Sequence, residues 1–207
     1  MKLFGSELVT SLLAVGLNYA ATFILPSSSL LKDPITTLST TVPILFVGHL
    51  LLVALSNVLR GTSHKLLKTL LYSAIASILA TSILYVLIVL FGAPLLEKIP
   101  NTFLFSAYLS ILTIMPCFQS LENPVWIKVF IQHSPTTTSE IYAYAQVVCT
   151  LTGAWIGAIV LPLDWERDWQ VWPISCIIST YVGHAVGVLA AFVWSSLKGI
   201  FSKKKSE

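Results

Sequence analysis

The sequence predicts an all-α fold, a polytopic helical membrane protein in which residues 1–207 form a single membrane domain of six transmembrane helices. Two observations carry that prediction. Apolar residues make up 56% of the chain against 10% charged, and the mean hydropathy is +0.84, a balance with too little polar surface to keep a soluble domain in water. The apolar residues also fall in six runs, about 8–25, 42–59, 69–92, 102–118, 141–161 and 173–197, none of which contains Asp, Glu, Lys or Arg. Roughly 20 such residues cross about 30 Å of hydrocarbon as a helix. The alternating ten-residue pattern of a membrane barrel is missing, so backbone amides in lipid have to be satisfied inside helices.

Each run has recognisable ends. The first follows Lys2 and Glu7 and is long enough to span, so it is expected to persist as a helix rather than to be a cleaved leader. Residues 27–29 and 36–41, rich in Ser and Thr, are expected to form a loop, with Pro43 in the first turn of the second helix, where a missing amide hydrogen costs least. Pro94 and Pro100 bracket the gap before the fourth run, and Pro116 suits its end. Residues 119–140 make the longest connection. Its segment Val125, Trp126, Ile127, Lys128, Val129, Phe130, Ile131 can lie flat at a membrane surface. Pro162 and Pro173 bound the gap between the last two runs.

Charge sets an expected orientation. Lys2, Arg60, Lys65, Lys68, Lys128, Lys198, Lys203, Lys204 and Lys205 fall on one side of the six runs, against Lys32, Lys98 and Arg167 on the other. With an even number of spans, that excess places both termini in the cytosol and the gap between runs five and six in the lumen. The net charge of +3 is mostly C-terminal and is read as topology and sorting information, not as a nucleic-acid surface. Cys117, Cys149 and Cys176 are an odd set within or at the ends of apolar runs, which supports neither a disulfide framework nor a cysteine metal site.

Shorter signals each have a structural and a functional use. Lys204 and Lys205 stand fourth and third from the last residue of the sequence, which resembles a cytosolic dilysine retrieval signal of the endoplasmic reticulum; the same lysines would also serve as a positive cap on the last helix. Gly153 and Gly157 flank Trp155 in the fifth run, and Gly183 and Gly187 flank His184 in the sixth. Glycines four apart let helix backbones approach closely, here in intramolecular packing or in a face kept for another protein. Asn18, His49, Asn57, Gln146 and His184 are polar side chains inside runs, expected to hydrogen-bond between helices, with a lipid headgroup or partner as the other use. No Asn-x-Ser/Thr acceptor occurs in the sequence.

The densest chemistry lies between the last two runs, in Pro162, Leu163, Asp164, Trp165, Glu166, Arg167, Asp168, Trp169, Gln170, Val171, Trp172 and Pro173. Asp164, Glu166 and Asp168 supply oxygen ligands of the kind that hold Mg²⁺ or Ca²⁺, but Arg167 among them offsets that charge. No His, Ser or Cys accompanies them, so neither the hydrolase nor the zinc template is met. No catalytic residue, metal site or cofactor is expected. Two uses stay open: an interfacial anchor, with indoles in the headgroup layer, or a specific protein contact surface, since aromatic and Arg side chains dominate buried interfaces.

Gly153, Ala154, Trp155, Ile156, Gly157 and Ala158, followed by the Pro162 to Ile174 segment, resemble the signature of the PIG-F family of glycosylphosphatidylinositol (GPI) anchor biosynthesis. The six spans, the Phe91, Gly92, Ala93, Pro94, Leu95, Leu96 stretch and the Gly183 and Gly187 pair resemble it too. Asp168 stands where many relatives are expected to carry Pro, a departure that touches the turn's conformation.

The resemblance implies a multi-pass subunit of the endoplasmic-reticulum membrane that performs no chemistry itself. Its expected partners are large membrane GPI ethanolamine phosphate transferases, the enzymes acting on the second and third mannoses, together with membrane lipids; the metals and catalytic groups would be the partner's. The expected contact residues are Gly153, Trp155, Gly157, Pro162, Leu163, Asp164, Trp165, Arg167, Trp169, Gln170, Trp172, Pro173, Gly183 and Gly187. Two rival functions are a small lipid-headgroup transferase using the loop carboxylates, and a carrier of phosphatidylethanolamine or GPI precursor in which Asn18, His49 and His184 line one polar path.

Overall fold

The computed structural model describes residues 2–94, 96–121, 126–163 and 165–204, with side chains for those between 5 and 199. Among these residues six helices are long and apolar enough to cross a membrane. They are α1 (Lys2–Tyr19, continued by a wider π-helical turn Ala20–Ile24), α2 (Pro34–Leu59), α3 (Leu66–Leu90), α4 (Ile99–Ser120), α5 (Thr138–Ile159) and α6 (Ile174–Lys204). Successive helices run up and down, which gathers the α2–α3 and α4–α5 connections at the end where the chain begins and the α1–α2, α3–α4 and α5–α6 connections at the other.

Helix α4 is the axis of the bundle: 72% of its apolar window is buried, against 17% for α3. Its Phe105, Tyr108, Leu112 and Met115 meet Leu38, Leu45 and Val53 of α2 and Ile174 and Ile177 of α6 in one continuous core. The outer face of α3, from Leu67 through Leu79 to Leu90, stays uncovered. In a soluble protein such a face would aggregate; in a bilayer it is the lipid surface.

The Thr-rich segment 36–41 corrects one expectation, because it is helix and not loop. Asp33 caps α2 by accepting a bond from the Thr36 amide (3.1 Å), and Pro34 takes the first position, where its missing N–H costs nothing. The hydroxyls of Thr37, Ser39 and Thr40 donate back to Asp33, Ile35 and Thr36 carbonyls, so the polar side chains are satisfied within the helix. The Thr36 hydroxyl and amide hold the Asp33 carboxyl below the usual carboxylate range. Pro43 accordingly lies in the interior of α2 rather than in its first turn.

Between α4 and α5 the structure places a short π-helical turn, Ile127–Ile131, with Val129 buried. Trp126 packs edge-on to Phe118 and stacks on Phe130, which stacks on Tyr144 of α5. Pro124 and Val125 lie outside the described residues. Helix α5 starts in a reciprocal cap: the Glu140 amide donates to the Thr137 hydroxyl, and the Thr137 amide donates to the Glu140 carboxylate. Lys128 closes on the same carboxylate at 3.1 Å.

Candidate functional site

Helices α5 and α6 form the most extensive helix pair in the bundle, and the four glycines are the reason they approach so closely. A Cβ built on Gly153 would lie 3.0 Å from the Gly183 Cα, and one on Gly183 would lie 3.0 Å from the Gly153 Cα. A Cβ on Gly187 would stand 2.7 Å from the Ala145 carbonyl oxygen, and one on Gly157 2.7 Å from the Ser175 carbonyl oxygen. All four positions therefore face the partner helix of the same chain, with no room for a side chain. Trp155 points the other way and is exposed, as are Ile156 and Ile159.

This backbone contact fixes where the α5–α6 loop begins and ends, and three side chains then shape the loop from within. The Gln170 amide nitrogen donates to the carbonyls of Val160 and Leu163, both at 2.8 Å, and its oxygen accepts from the Arg167 amide at 3.0 Å. Trp172 is buried: its indole N–H donates to the Thr102 hydroxyl of α4 (3.0 Å) and its ring meets Phe105 edge-on at 5.5 Å. Trp169 is half-buried against the main core and holds Trp165 edge-on at 5.8 Å. Pro173 is buried, joined to Trp172 by a cis peptide bond, and leads into α6.

The residues expected to act together thus divide. Gln170, Trp172 and Pro173 hold the loop on the bundle, whereas Leu163, Trp165, Glu166, Arg167 and Val171 are exposed on its outer surface, as is Pro162. Glu166 adopts a left-handed backbone conformation (φ 47°) at the turn that presents this group. Asp168 is exposed in the short turn Asp168–Gln170. Asp164 lies outside the described residues, as does Lys205; of Lys204 only the helical backbone is described. Among the described residues no group of three His, Cys, Asp or Glu stands close enough to hold a metal ion.

The polar residues within the spans mostly join helices. His49 donates to Asn18 Oδ1 (2.8 Å) and accepts from the Gln119 amide (3.3 Å), linking α2 with α1 and α4. Gln146 donates to Ser11 of α1, and His184 meets Thr150 of α5 at 3.3 Å. Asn57 departs from this pattern: it bonds the Val53 carbonyl of its own helix and the nearby Thr62 hydroxyl.

Sequence reasoning missed a second polar centre, at the end of the bundle where the chain begins. Glu7, read as a flanking charge, lies inside α1 and is buried with Arg60 in an ion pair of 2.5 Å, the two side chains 1% and 4% exposed. Ser120 and Ser139 donate to the same carboxylate at 2.9 Å, and Arg60 also donates to the Gln119 carbonyl. Four helix ends meet at this cluster. The available signal was a carboxylate just ahead of the first apolar run, on the side that carries most of the Lys and Arg.

Comparison with known proteins places this arrangement. A model of the GPI biosynthesis protein family Pig-F matches residues 14–192, from within α1 to within α6. The chain is similar to glycosylphosphatidylinositol anchor biosynthesis protein 11 of Yarrowia lipolytica, 34% identical over 86% of this chain and 80% of the relative. It is also similar to proteins named GPI ethanolamine phosphate transferase, stabilizing subunit, from Mus musculus and Homo sapiens. The first is 37% identical over 64% of this chain and 61% of that protein, the second 40% identical over 53% and 51%. No solved structure matches the chain. Because the family match takes in most of the six-helix bundle and the whole α5–α6 loop, the chain belongs to the GPI biosynthesis protein family Pig-F.

Proposed function

We propose that this chain is a non-catalytic membrane subunit that binds and stabilises GPI ethanolamine phosphate transferases, and so supports the addition of phosphoethanolamine to GPI mannoses. The observation that carries the proposal is its likeness to the mouse and human proteins named as stabilizing subunits of that transferase. In this reading the protein works in the endoplasmic-reticulum membrane with both termini cytosolic, and its partners are the large catalytic subunits acting on the second and third mannoses. Lys204 and Lys205 would then return escaped copies.

The contact surface we assign is the outer side of the α5–α6 loop, Leu163, Trp165 and Arg167, continued along the membrane by Trp155; Asp164, their neighbour in sequence, is proposed to take part with them. An exposed indole next to an Arg on a loop braced from inside is the composition of an interface hot spot, since the rigid backing lowers the entropy lost on docking. The glycines, Gln170, Trp169, Trp172, Pro162 and Pro173 serve that surface by fixing its shape.

The test is recovery of the catalytic subunit. Trp165→Ala and Arg167→Ala, expressed in cells lacking the native protein, are expected to reduce co-purified transferase several-fold while the variant itself accumulates normally. Undiminished recovery and normal anchor synthesis in both variants would remove the loop from the contact. Lipid-headgroup transfer by the purified chain alone would replace the proposal with an enzymatic one.

A further inference from the structure

Toward the end of the bundle where α1 begins and α6 finishes, α6 presents an exposed apolar strip, Val186, Leu189, Ala190, Val193, Trp194 and Leu197, lined among the described residues by α6 alone. Leu189 and Val193 are each more than half exposed. The strip leads directly to Lys198, twelve residues beyond Val186 and therefore about 18 Å along the helix axis at 1.5 Å per residue. That length is at least half of the roughly 30 Å hydrocarbon layer, and the exposed apolar face continues past Val186 to Val182, so a full acyl chain has room beside the helix below Lys198.

What stands at its head is polar and positively charged. Lys198 donates to the Thr136 carbonyl, and Lys128 donates to the Thr136 hydroxyl at 2.6 Å, so two ammonium groups from separate elements converge on one residue. Their charges are not equally compensated. Among the described residues Lys128 is paired with Glu140, whereas Lys198 meets only a neutral carbonyl, which leaves these three groups one positive charge in excess. Trp194 packs edge-on against Tyr144, whose hydroxyl meets His133 at 2.9 Å, an aromatic belt of the kind found at headgroup depth.

We propose that this strip and its lysines form a binding site for one anionic glycerophospholipid of the surrounding leaflet. An acyl chain lies along Val186, Leu189 and Val193, and the headgroup phosphate is held at Lys198 beside Thr136. An apolar strip alone would accept any lipid tail or a partner's helix. The unbalanced ammonium at its head, with room for an acyl chain below it, selects a lipid and selects one with net negative charge. The site is remote from the α5–α6 loop and is independent of the transferase contact.

The full-length chain in detergent micelles would be titrated with phosphatidylserine or with phosphatidylcholine, and bound lipid counted by native mass spectrometry. One phosphatidylserine is expected to bind, in preference to phosphatidylcholine. Lys198→Gln should weaken it about fivefold, the effect of removing one lysine near an anionic headgroup, while Lys198→Arg restores it and Lys68→Gln, on α3 over Tyr72, changes nothing. Leu189→Trp, which fills the strip without touching charge, should weaken binding as well and guards against a Lys198 variant that fails to fold. Equal binding of the two lipids, or wild-type binding by both Lys198→Gln and Leu189→Trp, would overturn the proposal. So would a photo-crosslinker at Leu189 that captures the transferase and no lipid in membranes.

Discussion

Trp165 and Trp172 stand seven residues apart in one loop and have opposite surroundings. Trp172 is enclosed, with its indole N–H on Thr102 and its ring against Phe105, while Trp165 is 54% exposed. Their substitutions should separate accordingly. Trp172→Phe removes one buried hydrogen bond while keeping most of the ring, and is expected to lower stability by about 1 kcal/mol; Trp172→Ala leaves a cavity and should cost about 3–5 kcal/mol. Trp165→Ala should leave the unfolding temperature in detergent unchanged while reducing recovery of the transferase. If Trp165→Ala instead destabilises the isolated protein as much as Trp172→Ala, the division between bracing and contacting residues is wrong. The sequence marked the loop but could not make this division, because spacing along an irregular segment has no period from which to read which side chains turn inward. Gln170 is the same case: its role depends on two carbonyls, seven and ten residues earlier, that only the folded turn brings to it.

At the scale of helices, the Gly153, Gly157 and Gly183, Gly187 pairs were legible because a spacing of four places both members on one helix face. Their neighbours follow from the short loop between antiparallel helices. Gly183→Leu is expected to force α5 and α6 apart, at a cost of at least about 1–3 kcal/mol, because the obstructing atoms are backbone and cannot rotate away. Gly16→Ala in α1 is the matched control. A Cβ there meets nothing within 4 Å, so the change should be neutral or stabilising by up to about 1 kcal/mol. Unfolding of the two variants in the same detergent measures the contrast, and equal stabilities would show that the close crossing is not what holds the pair. The start of α2 was not legible for a different reason. Ser and Thr ordinarily favour loops, and hydropathy cannot anticipate hydroxyls that turn back onto carbonyls of their own helix behind an Asp33 cap and Pro34.

For the molecule as a whole, the six spans were legible from composition, yet what ties their ends together was not, since its members are scattered over more than 130 residues. Glu7 of α1 holds Arg60 at the end of α2, Ser120 at the end of α4 and Ser139 at the start of α5, and Arg60 also binds the Gln119 carbonyl. Helix association within lipid gains little from the hydrophobic effect, so a buried charged cluster of this kind makes one arrangement of the bundle much better than its alternatives. Removing one charge strands the other. Arg60→Ala leaves a buried carboxylate on two serines, and Glu7→Ala leaves a guanidinium with, among the described residues, the Gln119 carbonyl; each is expected to cost about 3–5 kcal/mol. The double variant leaves no stranded charge and should cost clearly less than the sum of the two, a coupling of roughly 1–3 kcal/mol. Unfolding of the four proteins in one detergent closes the cycle, and additive losses would mean that the two charges do not act as a pair. A bundle loosened at this end is still predicted to present Trp165 and Arg167 at the other, since Gln170 and Trp172 brace that loop locally. Arg60→Ala should therefore reduce the amount of protein more than its capacity, per molecule, to retain the transferase.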